Sequence, residues 1–485
     1  MIIVPANTLA AGGFSVDNSI QLISQDSPRL SKTFGTPTNQ DIWTFSVWCK
    51  RARLGTTQNL TACQSSGTKL TSLRFDSDNA LNFYEYNGSY VGQIKTNRLF
   101  RDTSAWYHIV IVWDSGNGTA GDRMKMYVNG VEETSFSADT NPSSGLDSDM
   151  NTSGETFDLG NANNGNFFEG YLAEAVFVDG QALAPTSFGE FDEDSPTIWK
   201  PLDVSGLTFG DNGGYFDFED SDNLGDDESG NTNDLTEANI SAVHQVTDTP
   251  TNNFCILSQL HPYGSVVQAY HDGATKFVTG AGNAWRAVAG SIAVTSGKYY
   301  YELKINTASA NNSYSIGWLS TNNMPSSIWT TYLGDINGPA LGLGKGGTLD
   351  YSTHTANSQT DTGWTSYTNG EIIMCAIDLD NNFAYWGREG TWMKSGNPES
   401  GATGTGGFAF ENTLGYDWLP AFGSTEGASG SSPHMSANFG HGSFANVSGA
   451  PSAISSAGTN ASGFGVFEFN VPAGYGAICT KQMNE

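Results

Sequence analysis

Gly297-Lys-Tyr-Tyr-Tyr-Glu-Leu-Lys-Ile-Asn306, followed by Tyr314-Ser-Ile-Gly-Trp318, decides how this chain is read. Tyr299, Tyr301, Leu303 and Ile305 fall on one side of a two-residue alternation. Tyr300, Glu302, Lys304 and Asn306 fall on the other. That is the pattern of a β-strand with one buried face and one wetter face.

The same texture extends upstream. Trp43-Thr-Phe-Ser-Val-Trp-Cys49 alternates Trp43, Phe45, Val47 and Cys49 against Thr44, Ser46 and Trp48. Trp106-Tyr-His-Ile-Val-Ile-Val-Trp113 is apolar on both faces, as a central strand covered on two sides should be. Asn129-Gly130 sits between strand-like flanks and predicts a type I′ hairpin, because both central residues tolerate positive φ. No long stretch carries apolar residues at helical spacing. With 58 Gly and 16 Pro, the chain reads as short strands joined by tight turns. The fold class is all-β.

A length of 485 residues calls for more than one domain, and 38% hydrophobic residues suffice for packed cores. A formal net charge of −29 repels phosphate backbones and argues against nucleic-acid binding. Cys49, Cys63, Cys255, Cys375 and Cys479 are odd in number and widely spread, so neither a disulfide framework nor a zinc site follows. The opening Met1-Ile-Ile-Val-Pro5 lacks a signal peptide's basic flank, and no run is long enough to span a membrane. The expectation is a protein made in a cytoplasm, without membrane insertion.

A short extension, 1–13, precedes a first sandwich at 14–190. Residues 191–253 change character: from Glu190 to Glu237 there are fifteen carboxylates and one base, Lys200. The aromatics Trp199, Phe209, Tyr215, Phe216 and Phe218 need burial, so this stretch reads as an ordered acidic connector. A second sandwich occupies 254–485.

Trp43–Cys49, Trp106-Tyr-His-Ile-Val110, Tyr127-Val-Asn-Gly130 and Gly170-Tyr-Leu-Ala-Glu174 together resemble the laminin-G-like, concanavalin-type sandwich. The 297–306 strand, Ile316-Gly-Trp318, Ala376-Ile-Asp-Leu-Asp380, Trp392 and Leu419-Pro-Ala-Phe422 resemble, in order and spacing, the SPRY domain. These resemblances imply two antiparallel β-sandwiches in tandem. Phe14–Ile20, Gln245–Phe254 and Val471–Thr480 resemble phrases of bacteriophage structural proteins that pair these two domains. That implies a non-enzymatic virion protein, a tail fibre or surface appendage, contacting other virion proteins and a host surface glycan or protein. A homotrimer is the guess for a fibre. A capsid-decorating or head-fibre protein is the rival within the binding class, and a glycan-degrading enzyme the rival outside it.

Candidate chemistry is sparse, and no catalytic residue is assigned. Glu190, Asp192 and Asp194 would share one strand face, as in sandwich glycosidases whose two carboxyls stand about 5 Å apart. They follow the last strand of the first sandwich, and an exposed acidic loop is the plainer reading. His108 lies in an apolar strand and reads as a packed residue. Ca²⁺ is the candidate cation: Asp114 and Asp122 flank one loop, and Asp220, Asp222 and Asp226 form a denser oxygen cluster. Trp329 and Tyr332, in a loop-like run, are the candidate binding aromatics.

Overall fold

A computed structural model describes residues 13–66, 68–163, 165–259, 269–278, 285–307, 314–321, 332–334, 338–353, 359–412, 414–425, 434–446 and 450–483. The chain divides between Asn252 and Asn253 into two compact units.

In the first unit, one sheet runs in the order Val131–Glu132, Met124–Val128, Trp106–Asp114, Ile42–Arg51, Gly170–Asp179, Ser19–Leu22, Gln245–Val246. The other runs Phe136–Thr140, Tyr90–Leu99, Ala80–Asn87, Lys69–Phe75, Gln58–Ser66, Thr156–Leu159, Arg29–Thr33, Thr236–Ala238. All these pairings are antiparallel. Trp43, Phe45, Val47 and Ile109 of the first sheet meet Leu60, Leu73, Phe75 and Phe83 of the second in one buried core. This is a β-sandwich. Asn129 and Gly130 have φ of 50° and 77°, as the hairpin reading requires. Gly170 is held at φ 149°, where a Cβ would lie 2.1 Å from the Lys50 carbonyl oxygen.

The acidic stretch, expected as an ordered connector draped on the sandwiches, adds strands to this one. Gly214–Phe216 pairs with Gly170–Asp179, and Thr236–Ala238 pairs with Arg29–Thr33. Val204, Phe209 and Tyr215 pack on Val110, Val112, Val176 and Val178, the outer side of the central strands. Those strands are apolar on both faces because a second apolar layer covers them. Composition marked the stretch as different, yet its few aromatics decided where it folds.

In the second unit, one sheet runs Ala269–His271, Lys276–Val278, His434–Asn438, Lys298–Thr307, Ile372–Asp378, Phe383–Arg388, Thr391–Trp392. The facing sheet runs Trp285–Ala289, Trp418–Thr425, Tyr314–Ser320, Ala340–Gly344, Leu349–Ser352, Gln359–Asp361. Tyr299, Tyr301, Leu303 and Ile305 enter the core with Ile316, Trp318, Leu343 and Phe422.

The other face of Lys298–Thr307 differs from its sequence reading. Tyr300 and Glu302 are both fully buried. Phe467, Val471, Tyr475 and Ala477, from the far end of the chain, pack over Tyr300. The Glu302 carboxylate accepts hydrogen bonds from Tyr300 Oη (2.9 Å), Asn438 Nδ2 (3.2 Å), Glu468 N (2.9 Å) and Phe469 N (2.9 Å). A polar residue at the centre of a supposedly wet face is thus an internal anchor for a covering segment. Local alternation carries no information about a segment that arrives from so far along the chain.

Candidate functional site

The residues singled out from sequence are dispersed. Trp329 lies outside the described residues. Tyr332 is half-buried and packs against Trp285, with ring centroids 5.5 Å apart. Asp114 accepts a hydrogen bond from Asn117 Nδ2, and Asp122 pairs with Lys125 at 3.0 Å. Asp220 accepts from the Asp222 amide, and Asp226 from Asn223 Nδ2. Among the described residues no group of three or more His, Cys, Asp or Glu is placed to hold a metal ion.

Glu190 stands on a two-stranded ribbon, Gly189–Phe191 with Trp199–Pro201, and Asp192 follows it. Lys200 Nζ lies 3.2 Å from Glu190 and 3.5 Å from Asp192, so one ammonium sits between the two carboxylates. His108 is fully enclosed. Its Nδ1 accepts from Trp199 Nε1 at 2.9 Å, which leaves Nε2 to donate to Ser46 Oγ at 2.8 Å. Burial pushes its pKa down to about 3, so the ring is a neutral structural bridge.

A concave site lies instead on the second unit. A groove of about 630 Å³ runs between Trp392 with Asn397–Glu399 on one side and Thr459–Ala461 with Asn470–Ala473 on the other. The first wall follows the hairpin strand Thr391–Trp392. Tyr300 and Tyr385 brace Trp392 edge-on, at centroid distances of 6.3 and 6.5 Å. Asn397 caps the short helical turn Pro398–Thr403 by accepting from the Glu399 amide.

The second wall is the C-terminal segment anchored by Glu302. The two walls are tied by Ala473 N donating to Glu399 Oε1 at 2.9 Å, and by Tyr475 Oη donating to the Pro398 carbonyl at 3.1 Å. Within the second wall, Thr459 N donates to Asn470 Oδ1 and Val471 N to the Thr459 carbonyl. Trp392 Nε1, Asn397 Nδ2, Glu399 Oε2, Thr459 Oγ1 and Asn470 Nδ2 make no hydrogen bond among the described residues. The groove therefore offers an indole beside polar atoms of both kinds, held by bonds made elsewhere in the same residues. Sequence reasoning missed it because its walls come from two segments far apart in the chain. The one available signal was Trp392 next to Gly396-Asn-Pro398, a turn with an aromatic at its root.

Residues 26–186 match the family described as the concanavalin A-like lectin/glucanases superfamily (Laminin_G_3). The first sandwich is therefore similar in fold to the concanavalin-like domains of that superfamily. Among solved structures, the chain is similar to the SPRY domain of human HERC1, with 18% identity and a TM-score of 0.26, over 37% of this chain and 96% of that one. It is similar to the native heptameric SAP-like pentraxin of Limulus polyphemus, with 23% identity and a TM-score of 0.27, over 35% and 78%. A candidate carbohydrate binding protein of Bacteroides ovatus shares 15% identity at a TM-score of 0.28, over 46% of this chain and 58% of that one. At scores this low these are likenesses of parts. No curated protein matches the sequence.

Proposed function

We propose that this chain is a non-enzymatic saccharide-binding protein of a bacteriophage particle, a tail fibre or surface appendage that holds host surface glycan. The groove on the second unit carries the binding part of the reading. Saccharides present apolar C–H faces and rings of hydroxyls, and an indole flanked by unspent amides, a hydroxyl and a carboxylate suits both. The concanavalin-like first sandwich supports the same ligand class. The particle is supported by the resemblance of Phe14–Ile20, Gln245–Phe254 and Val471–Thr480 to phrases of phage structural proteins. Display in several copies, a homotrimer for a fibre, turns weak single sites into useful avidity.

The test is co-sedimentation of the full chain with host cells or their extracted polysaccharide, with Trp392→Ala alongside. Wild type should pellet, and the variant should lose most of its retention. Equal retention would remove the groove from the reading. Release of reducing ends that vanishes in Glu190→Gln would replace the binding reading with an enzymatic one. Imaging the particle separates tail from head, where a head location would make the capsid the partner.

A further inference from the structure

The groove has a feature that bears on which saccharide it takes. Among the described residues, Glu399 is the one lining residue with an ionisable side chain, and no Lys, Arg or His lines the groove. Glu399 is exposed, and its carboxylate is oriented by one hydrogen bond, Ala473 N donating to Oε1 at 2.9 Å. That bond leaves Oε2 as the acceptor with no hydrogen bond among the described residues. The remaining unspent groups, Trp392 Nε1, Asn397 Nδ2, Thr459 Oγ1 and Asn470 Nδ2, are neutral. The basic residues nearest in sequence to this wall are engaged elsewhere. Lys394 pairs with Asp361 and lies 4.4 Å over the Trp364 ring, and Arg388 donates to the Ser366 carbonyl and pairs with Glu371.

We infer that Glu399 sets the charge selectivity of the groove, so that it takes saccharides bearing a free amine and rejects those bearing a carboxylate. This rests on the saccharide-binding reading. An ammonium placed on Oε2 gains a charge-assisted hydrogen bond. A uronate or other acidic sugar meets a carboxylate with no cation among the described lining residues to offset it, on a chain already at −29.

The test is calorimetric titration of the full chain with three oligosaccharides of equal length: glucosamine, N-acetylglucosamine, and alternating N-acetylglucosamine–glucuronate. They are compared at low salt and at a pH where the amine is protonated. The expected order is glucosamine first, N-acetylglucosamine next, glucuronate-containing last, with steps of about twofold to fivefold. Glu399→Gln keeps the Oε1 acceptor for Ala473 and should melt with wild type while binding the glucosamine and N-acetylglucosamine oligomers alike. Equal or tighter binding of the glucuronate oligomer, or an unchanged order in Glu399→Gln, overturns the selectivity and leaves saccharide binding standing. Failure of all three oligomers to bind overturns both.

Discussion

Lys50 Nζ lies 2.7 Å from Asp248 Oδ2, and neither side chain is reached by solvent. Asp248 Oδ1 also accepts from Trp106 Nε1 at 3.1 Å. The pair ties the last segment of the first sandwich to its central sheet. Removing one partner takes the counter-charge from a buried ion, whereas replacing both by apolar residues removes the penalty with the attraction. Asp248→Ala should lower stability by about 3–5 kcal/mol, read as a fall in denaturant midpoint. Lys50→Met combined with Asp248→Leu should recover most of that loss. A double variant as unstable as the single one would show that packing, not charge, is what the pair supplies.

The four donors on Glu302 lead to a second expectation. Glu302→Gln exchanges one acceptor oxygen for an N–H that must face donors already present. Backbone amides at Glu468 and Phe469 should then lose protection in hydrogen exchange, by about 1–3 kcal/mol of local opening free energy. Unchanged protection at these two amides would mean that the apolar cover over Tyr300 suffices to hold the segment.

Three buried carboxyls and one buried imidazole carry large shifts that bear on the pH response. Burial pushes Glu174 up to about 8, despite the hydrogen bond from Tyr215 Oη, and pushes Glu85 and Glu302 up to about 7, from an ordinary 4.5. In each case the folded chain keeps a proton that the unfolded chain releases. Their contribution is therefore complete below 4.5 and is lost as pH rises through 7 and 8. His108 acts in the opposite sense: at about 3 against 6.5, the unfolded chain takes a proton that the folded chain refuses, so stability falls as pH drops below 6.5. Between pH 6.5 and 8 the carboxyls dominate, and the thermal midpoint should decline with rising pH. Each group can contribute up to about 1.4 kcal/mol per pH unit. Glu174→Gln, neutral at every pH, should flatten the decline from 7 to 8, and a wild-type melt that is level across that range would contradict the assignment.

Gly170 supplies a backbone prediction. Its φ of 149° and the 2.1 Å approach to the Lys50 carbonyl leave no room for a methyl group. Gly170→Ala should cost more than the ordinary ~1 kcal/mol of a glycine exchange and reduce soluble yield. Gly145→Ala, also at positive φ but with open space around its Cβ position, is the matched control for conformational strain alone.

Strand content and the inner faces of the strands were legible in the sequence, because period-two alternation is a local property. Trp43, Phe45, Val47, Tyr301 and Leu303 all face the cores that their spacing assigns. The phrases that suggested a phage particle have a structural role of their own. Ser19–Leu22 pairs with Gln245–Val246, and Val16 N donates to Thr251 Oγ1. Phe254 bridges Cys479, and Thr480 N donates to the Asn253 carbonyl. Each sandwich is closed by pairing its first segment with its last, so these phrases report architecture before they report ligand.

What the sequence determined by itself was therefore what neighbouring residues decide: strands, hairpins and apolar faces. Tertiary structure alone decided that Tyr300 and Glu302 are buried, that the acidic stretch belongs to the first sandwich, and that Trp392 shares a groove with Asn470. Each depends on contact between segments remote in the chain, where the gain from burying a few aromatics outweighs local polarity and no periodicity records the partner.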